Sequence, residues 1–532
     1  MKGVKHRAGN DPRAAALLVL NEVLTGTADS QAVLDKQLDA SSLVPGDKAL
    51  CTELVYGLLR RHLRLSWFIR QMLEKPDKLP AEMLLVLELA AYELAFTRIP
   101  AHASVNLAVG FIRNRFGQGL AKVGNGVLRR FQRNLKDEFE NPLYYLKQLK
   151  LEVSGGHPQS LDHSGQVSDR ELSGCLTNQE AANSGELSGN AAEEQLGEVS
   201  GGLPSVLGYS AEPGFLAVYY GMPEWIVRLW LAAYGPEAAE RYLKASARPA
   251  PLGLRLNSLA PGCKSLLNEM LQEEGALLVP PAAVALPNGA RRPVKFMQRE
   301  GRLSRQSAAS YQALWQLEPA SWEQPVWDAC AGRGGKTLSL LEQGIAVALL
   351  SDSSKARLGG FEPDFKRLFY REGKSEDGGS QDKAVSGQAL ASSGAKREAS
   401  SAPVMPEVFF GPAEEAGKGR EFATVILDVP CSGLGTLAHR PEIRWRRNYQ
   451  DLERLCASQG ALLENAVSSL KRGGRIVYLT CTINPAENEE QVKSFLERHP
   501  GFTLEKTWNT PPGSGLSEFF YGAVLKQDEQ GR

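Results

Sequence analysis

VILDVPCSGLGT, residues 425–436, is an apolar run that closes on an acid, a proline and a cysteine. Val425, Ile426 and Leu427 read as a buried strand. Asp428 is costly there unless the strand has reached the mouth of its sheet, and Pro430 cannot continue the hydrogen-bond ladder. RIVYLTCTINPAENE, residues 475–489, has the same form: Cys481 follows an apolar run and precedes a turn with an acidic helix start. Outward from these, VWDACA (326–331), AVALLSD (346–352) and EVFFG (407–411) are further short apolar runs that alternate with helical patterns. That alternation predicts a mostly parallel α/β sheet with ligands at the strands' carboxyl ends, so both cysteines fall on the functional rim. The last run, EFFYGAVLK (518–526), follows Pro511, Pro512 and several glycines and is expected to pair as an antiparallel edge.

PVWDACAGRGGKT, residues 325–337, reads as a strand running into a glycine-rich turn and then a helix, where a backbone without side chains lets a ligand approach closely. The spacing is not that of a P-loop. Asp352, at the end of the next run, would present an acid to a ribose hydroxyl pair, and the two features together favour a nucleoside-bearing cofactor. Two thiols beside such a cofactor suit methylation of cytosine at carbon 5, a position too electron-poor to attack a methyl donor unaided. A thiolate added at carbon 6 makes carbon 5 nucleophilic, and a second polar group has a task when the product is released. A free thiol titrates near about 8.5, so the site has to supply positive charge or donors. On the residues alone the two cysteines rank equal as nucleophile, and each alone also reads as a small core residue.

The order DACAGRGGKT, LLSDSSKARL, ILDVPCSGLGTLAHRPEIRW, GGRIVYLTCTINPAENE and EFFYGAVLK resembles the Sun/RsmB (Fmu) family of S-adenosylmethionine-dependent 16S rRNA (cytosine-5) methyltransferases. ELVYGLLRR, YELAFTRIPAHASVN and VGNGVLRRFQRN resemble the NusB-like helical RNA-binding domain that its bacterial members carry in front, and MPEWIVRLW, LGLRLN and GRLSRQSAAS also fit. The resemblance implies that Cys481 is the nucleophile, that Cys431 assists product release, and that Asp428 is the site acid. It implies a cofactor set of Cys330, Ala331, Gly332, Arg333, Gly334, Gly335, Lys336, Asp352 and Asp428, with S-adenosylmethionine as the cofactor. Gly332 and Arg333 stand where the family usually has alanine and proline. The implied fold is multidomain: an all-α NusB-like domain over 1–140, a small α+β module over 214–310, and an α/β Rossmann-like methyltransferase domain over 311–532.

The chain has 532 residues and a formal net charge of +0, yet the charge is unevenly spread. Between Arg98 and Lys136 there are basic residues and no acid, so Arg113, Arg115, Arg129, Arg130 and Arg133 are candidate phosphate contacts to rRNA. Arg444, Arg446 and Arg447, around Trp445 and just past Cys431, form a second basic cluster expected to hold the RNA strand beside the target base. Residues 151–213, rich in Ser, Gly, Asn and Glu, read as a disordered linker, and 373–403 as a similar insert within the catalytic domain. Seven cysteines at irregular spacing give neither a disulfide framework nor a paired metal motif, and no apolar stretch approaches a membrane span. The expectation is a monomeric cytoplasmic enzyme that acts on rRNA without metal or membrane. The rival reading is a non-catalytic RNA-binding or ribosome-assembly factor on a degenerate methyltransferase scaffold.

Overall fold

The structure, a computed structural model, describes residues 10–151, 205–287, 289–290, 293–370 and 402–529. Nearly all of the expected linker, and residues 373–401 of the expected insert, lie outside these. The chain divides into two compact units, one of Met1–Arg60 with Arg241–Arg532 and the other of Arg61–Glu240. This division differs from the expected boundaries: the first 60 residues group with the catalytic sequence, and residues 205–240 group with the helical unit.

The helical unit is built on amphipathic helices. In Gln118–Arg133 the buried residues are Ala121, Gly124, Val127, Leu128 and Phe131, a three- and four-residue spacing that leaves Arg129, Arg130 and Arg133 facing solvent. Gly124 lets this helix close on its neighbour, since a Cβ there would stand 2.7 Å from Ile112. Arg64 is buried among aromatic rings, 4.4 Å from the Phe139 centroid and 4.3 Å from that of Tyr219, and it donates to Tyr145 Oη at 3.0 Å. Its charge is tolerated there because donors are paired and ring faces are electron-rich.

The other unit holds two sheets. Strands β1 (Leu252–Leu256), β2 (Leu277–Val279), β3 (Ala283–Leu286) and β4 (Leu303–Arg305) form an antiparallel sheet in the order β2-β3-β1-β4, the α+β module of the sequence reading. The larger sheet comprises β5 (Val326–Asp328), β6 (Leu349–Asp352), β7 (Glu407–Phe410), β8 (Phe422–Asp428), β9 (Leu470–Thr480), β10 (Phe502–Asn509) and β11 (Tyr521–Gln527). Its order is β10-β11-β9-β8-β5-β6-β7, with β5 to β9 parallel and β11 antiparallel to both neighbours. Strand β11 is therefore not the edge: β10 covers it. β10 escapes an apolar-run search because most of its residues are exposed and its apolar positions are sparse, as expected of an edge strand. Trp327, Val425, Leu427, Ile476 and Tyr478 pack the core on one face of the sheet, and Val326, Ile426, Val477 and Leu479 on the other. Alternate residues of each central strand thus serve opposite cores, which fixes register and sends Asp328, Asp352 and Asp428 to the same rim.

Candidate active site

β5 and β8 are hydrogen-bonded neighbours whose next strands, β6 and β9, lie on opposite sides of them, the switch point at which open α/β sheets bind ligands. The glycine-rich loop follows β5. Gly332 and Gly334 have φ +59° and +74°, and no atom lies within 4 Å of a Cβ placed on Gly332 or Gly335, so the loop leaves an open cradle. Gly334 differs: its Cβ would meet the Phe361 ring at 2.2 Å. The cradle is held from below by Asp352, which accepts from Gly332 N at 2.9 Å, Ser354 N at 2.7 Å and Arg357 Nη2 at 2.9 Å. Arg333 is exposed and lies over Gly360, where a Cβ would come within 3.0 Å of its guanidinium. The arginine that stands in the loop therefore folds out of the cradle. Cys330 is half-buried and burial pushes its thiol up, while Ala331 ties the loop to Ser351 O at 2.9 Å.

Asp328 was not among the expected site residues. It ends β5, accepts from Thr337 Oγ1 at 2.6 Å, and has its other oxygen buried without a hydrogen-bond partner among the described residues. Burial raises its carboxyl to about 6. Lys336 is buried and reaches Asp428 at 2.5 Å. Burial disfavours the ammonium, but the Asp428 carboxylate outweighs it and raises the Lys336 pKa, with Cys481 contributing in the same direction.

The two thiols meet. Cys431 Sγ lies 2.8 Å from Cys481 Sγ and accepts from Cys481 N at 3.2 Å. The hydrogen bond to Cys481 and burial raise the Cys431 thiol well above the ordinary cysteine value. The loop carrying Cys431 is pressed against its surroundings at Gly435, where a Cβ would stand 1.9 Å from Phe519 O. Gly435 N donates to Cys481 O at 3.0 Å, binding the two cysteine loops together.

Glu487, also absent from the expected site, is fully buried between these loops. It accepts from Ser432 N at 2.7 Å, Ser432 Oγ at 2.5 Å, Asn484 Nδ2 at 3.0 Å and Gln459 Nε2 at 3.0 Å. The acidic run NPAENE reads in sequence only as a turn and helix start; the signal for more is a glutamate beside asparagines immediately after a strand-end cysteine.

The expected second basic cluster is corrected at Arg444, while Arg446 and Arg447 are half-exposed. Arg444 is 1% exposed, and its guanidinium donates to Arg60 O and, at 2.6 Å, to Ser246 O. Arg446 donates to Val23 O at 3.0 Å and Ala28 O at 2.6 Å, and Arg447 to Ser432 O at 3.2 Å. Glu442, fully buried, accepts from Ser30 Oγ at 2.9 Å. These arginines are occupied by carbonyls, and Arg444 has no surface to offer a phosphate. Arg113, Arg115, Arg129, Arg130 and Arg133 are exposed, though Arg115 faces Glu82 at 3.3 Å and Arg130 faces Glu138 at 3.7 Å.

A parallel sheet closed by an antiparallel pair, with a glycine cradle at its switch point and acids along the rim, is the Rossmann-like methyltransferase architecture. The NusB family matches residues 10–133 and the 16S rRNA methyltransferase RsmB/F family matches residues 407–528. The "Probable ribosomal RNA small subunit methyltransferase B" of Synechocystis sp. is 28% identical, covering 94% of this chain and 92% of its own. The "Ribosomal RNA small subunit methyltransferase B" of Vibrio cholerae is 26% identical, covering 97% of each. In fold, the crystal structure of PH0851 matches 97% of this chain and 99% of its own with a TM-score of 0.62 at 18% identity. The chain is thus similar to the RsmB/F family of 16S rRNA methyltransferases over residues 407–528 and to the NusB family over residues 10–133, and relatives named as small-subunit rRNA methyltransferases align along more than nine-tenths of it. Among the described residues no helix is long and apolar enough to cross a membrane, and no cluster of metal-ligating side chains occurs.

Proposed function

We propose that the protein methylates carbon 5 of a cytidine in 16S rRNA through a covalent adduct with Cys481, acting in the cytoplasm as a monomer. The observation that carries the reading is the pair of thiols 2.8 Å apart at the ends of β8 and β9, on the rim that also holds the Lys336–Asp428 ion pair. The glycine cradle of residues 330–336 and Asp352 fit the cofactor, for Gly332 and Gly335 leave open space where side chains would stand. S-adenosylmethionine, bound there, supplies the methyl group. The Asp428 carboxylate accepts from the exocyclic amine of the cytosine, or from N3 once addition at carbon 6 leaves it protonated, and Lys336 supplies the positive charge a thiolate needs.

Cys481 Sγ attacks carbon 6, forming a C–S bond and moving the ring's π electrons toward carbon 5, which takes the methyl group. The carbon 5 proton then leaves, the C–S bond breaks, and the double bond and the Cys481 thiolate return. Cys431 suits the second half. Its pKa is held up chiefly by its hydrogen bond to Cys481 and by burial, so before attack it remains a thiol that donates to the nucleophile. Once Cys481 becomes an uncharged thioether the first cause disappears, so Cys431 can release its own proton to solvent and, as a thiolate, take the carbon 5 proton. The exposed Arg113, Arg115, Arg129, Arg130 and Arg133 serve the RNA backbone.

The test is incubation with labelled S-adenosylmethionine and small-subunit rRNA, followed by digestion and detection of 5-methylcytidine. Cys481→Ala should abolish both turnover and adduct, and Cys431→Ala should trap a protein–RNA adduct. An adduct in the Cys481 variant instead reverses the two roles. Absence of both product and cofactor binding in the wild type supports the assembly-factor reading.

A further inference from the structure

Both thiols sit on loops, and side chains on loops hold sub-ångström relations only where something fixes them. The fixing element here is a buried polar cluster with one negatively charged centre. Ser432 adjoins Cys431 and Thr482 adjoins Cys481; both are 0% exposed, and their hydroxyl oxygens lie 2.8 Å apart. Asn484 N donates to Thr482 Oγ1 at 3.2 Å. Ser432 Oγ gives its proton to Glu487 at 2.5 Å, so it accepts from Thr482, and the direction of every bond in the chain is set by the carboxylate at its end. Glu487 receives four donors in all, two of them from Ser432, which matches the acceptor capacity of an ionised carboxylate.

The two loops are not equally held by other contacts. The Cys481 loop leaves β9, which is paired on both sides, and Asn488 Nδ2 donates to Thr482 O at 3.0 Å. The Cys431 loop has left its sheet at Pro430. Its main chain is tied by Val429 N to Leu479 O at 3.1 Å, Gly435 N to Cys481 O at 3.0 Å and Phe519 N to Gly435 O at 2.8 Å, and between these the stretch around Cys431 is held by side chains: Glu487, Gln459 donating to Pro430 O at 2.9 Å, and Arg447 donating to Ser432 O at 3.2 Å. Gln459 also donates to Glu487, so a single carboxylate bears on two of the three side-chain anchors beside Cys431.

We propose that Glu487 is a positioning residue that holds the Cys431 thiol against Cys481, and that it governs breakdown of the adduct more than its formation. The inference rests on the thiol roles proposed above. Glu487→Gln is nearly isosteric but places an N–H₂ among fixed donors: on one side Ser432 N and Gln459, on the other Asn484. The Cys431 loop then shifts, while Cys481 keeps its strand-end position.

The experiment compares full-length wild type, Cys431→Ala, Glu487→Gln and Ser432→Ala on small-subunit rRNA with S-adenosylmethionine, scoring steady-state rate, KM for RNA and protein–RNA adduct on denaturing gels. Glu487→Gln should lower kcat roughly ten- to a hundredfold, as misplacement of a reacting group by up to an ångström does, with KM little changed. Adduct should persist in it as it does in Cys431→Ala, and Ser432→Ala should move the same way to a smaller degree. A merely structural role would lower rate and adduct together, and that result overturns the proposal; so does wild-type turnover in Glu487→Gln. If Glu487→Gln does not fold, Ser432→Ala decides, and a wild-type division between adduct and product there refutes the inference. Failure of Cys431→Ala itself to hold adduct removes the thiol assignment and this inference with it, whereas trapping in Cys431→Ala alone removes only the inference.

Discussion

Gly334→Ala and Gly332→Ala, two residues apart in one loop, should differ sharply. Both glycines have positive φ, and an alanine in that region costs about 1–2 kcal/mol. Gly332 incurs nothing more, since no atom lies within 4 Å of its Cβ position. At Gly334 the new methyl meets Phe361 Cδ2 at 2.2 Å and Cε2 at 2.9 Å. Phe361 is fully buried, with Phe365 and Leu338 in the same apolar cluster, so its ring has no free space to enter. Overpacking of this kind adds about 1–3 kcal/mol. The expected losses are therefore roughly 1–2 kcal/mol for Gly332→Ala and 2–5 kcal/mol for Gly334→Ala. Scanning calorimetry should follow the transition that added S-adenosylmethionine raises, and Phe361→Leu should recover part of the Gly334→Ala loss in a double-mutant cycle. Equal losses at the two glycines, or strict additivity with Phe361→Leu, would refute the argument.

Arg444→Ala should destabilise the catalytic unit by about 3 kcal/mol or more, because two carbonyls lose charged donors in a buried place, yet leave the salt dependence of RNA affinity unchanged. Arg129→Ala with Arg133→Ala should do the reverse, lowering the slope of log affinity against log salt by about one for each phosphate no longer neutralised. Asp328 supplies a pH test: its folded carboxyl stands at about 6 against an ordinary value of 3.8, so between these values the folded chain holds a proton the unfolded chain has released. Stability should therefore fall as pH rises through that window. Asp328→Asn, which can still accept from Thr337, should remove that dependence and stabilise the protein above it by up to about 3 kcal/mol in urea unfolding. Finally, the sulfurs of Cys431 and Cys481 are close enough for diamide to remove two electrons and two protons and join them. Intact mass should drop by about 2 Da, with activity abolished until dithiothreitol is added; unaltered mass under conditions that oxidise the exposed thiols of a control protein would exclude it.

The five parallel strands were legible because each is a short apolar run that ends in a residue out of place in a core: Asp328, Asp352, Gly411, Asp428, Thr480. The meeting of Cys431 and Cys481 followed from the same logic, since neighbouring parallel strands bring their ends together. β10 was not legible because it presents most of its residues to water and so carries no continuous apolar signal. Glu487 and Asp328 were hidden for a different reason: a buried carboxylate is recognised by what surrounds it, and sequence spacing does not display four converging donors. Arg444 misled because charge in a sequence reads as surface; Arg446 and Arg447, half-exposed, also turn guanidinium donors inward. Their partners are main-chain carbonyls, which every residue has and which leave no mark in composition.

The bonds from Arg444 to Arg60, from Arg446 to Val23 and Ala28, and from Glu442 to Ser30 join the two ends of one compact unit across roughly 400 residues of chain. A ribosome adding about 5–20 residues per second leaves the first 60 residues waiting some 20–80 s before their partners emerge. During that interval Val23 O, Ala28 O and the Ser30 hydroxyl lack the side chains that later bond them. The opening helices thus wait longest for their partners, and an amino-terminal truncation at Arg60 would leave Arg444 with Ser246 O but without Arg60 O, and the buried Glu442 without the Ser30 hydroxyl.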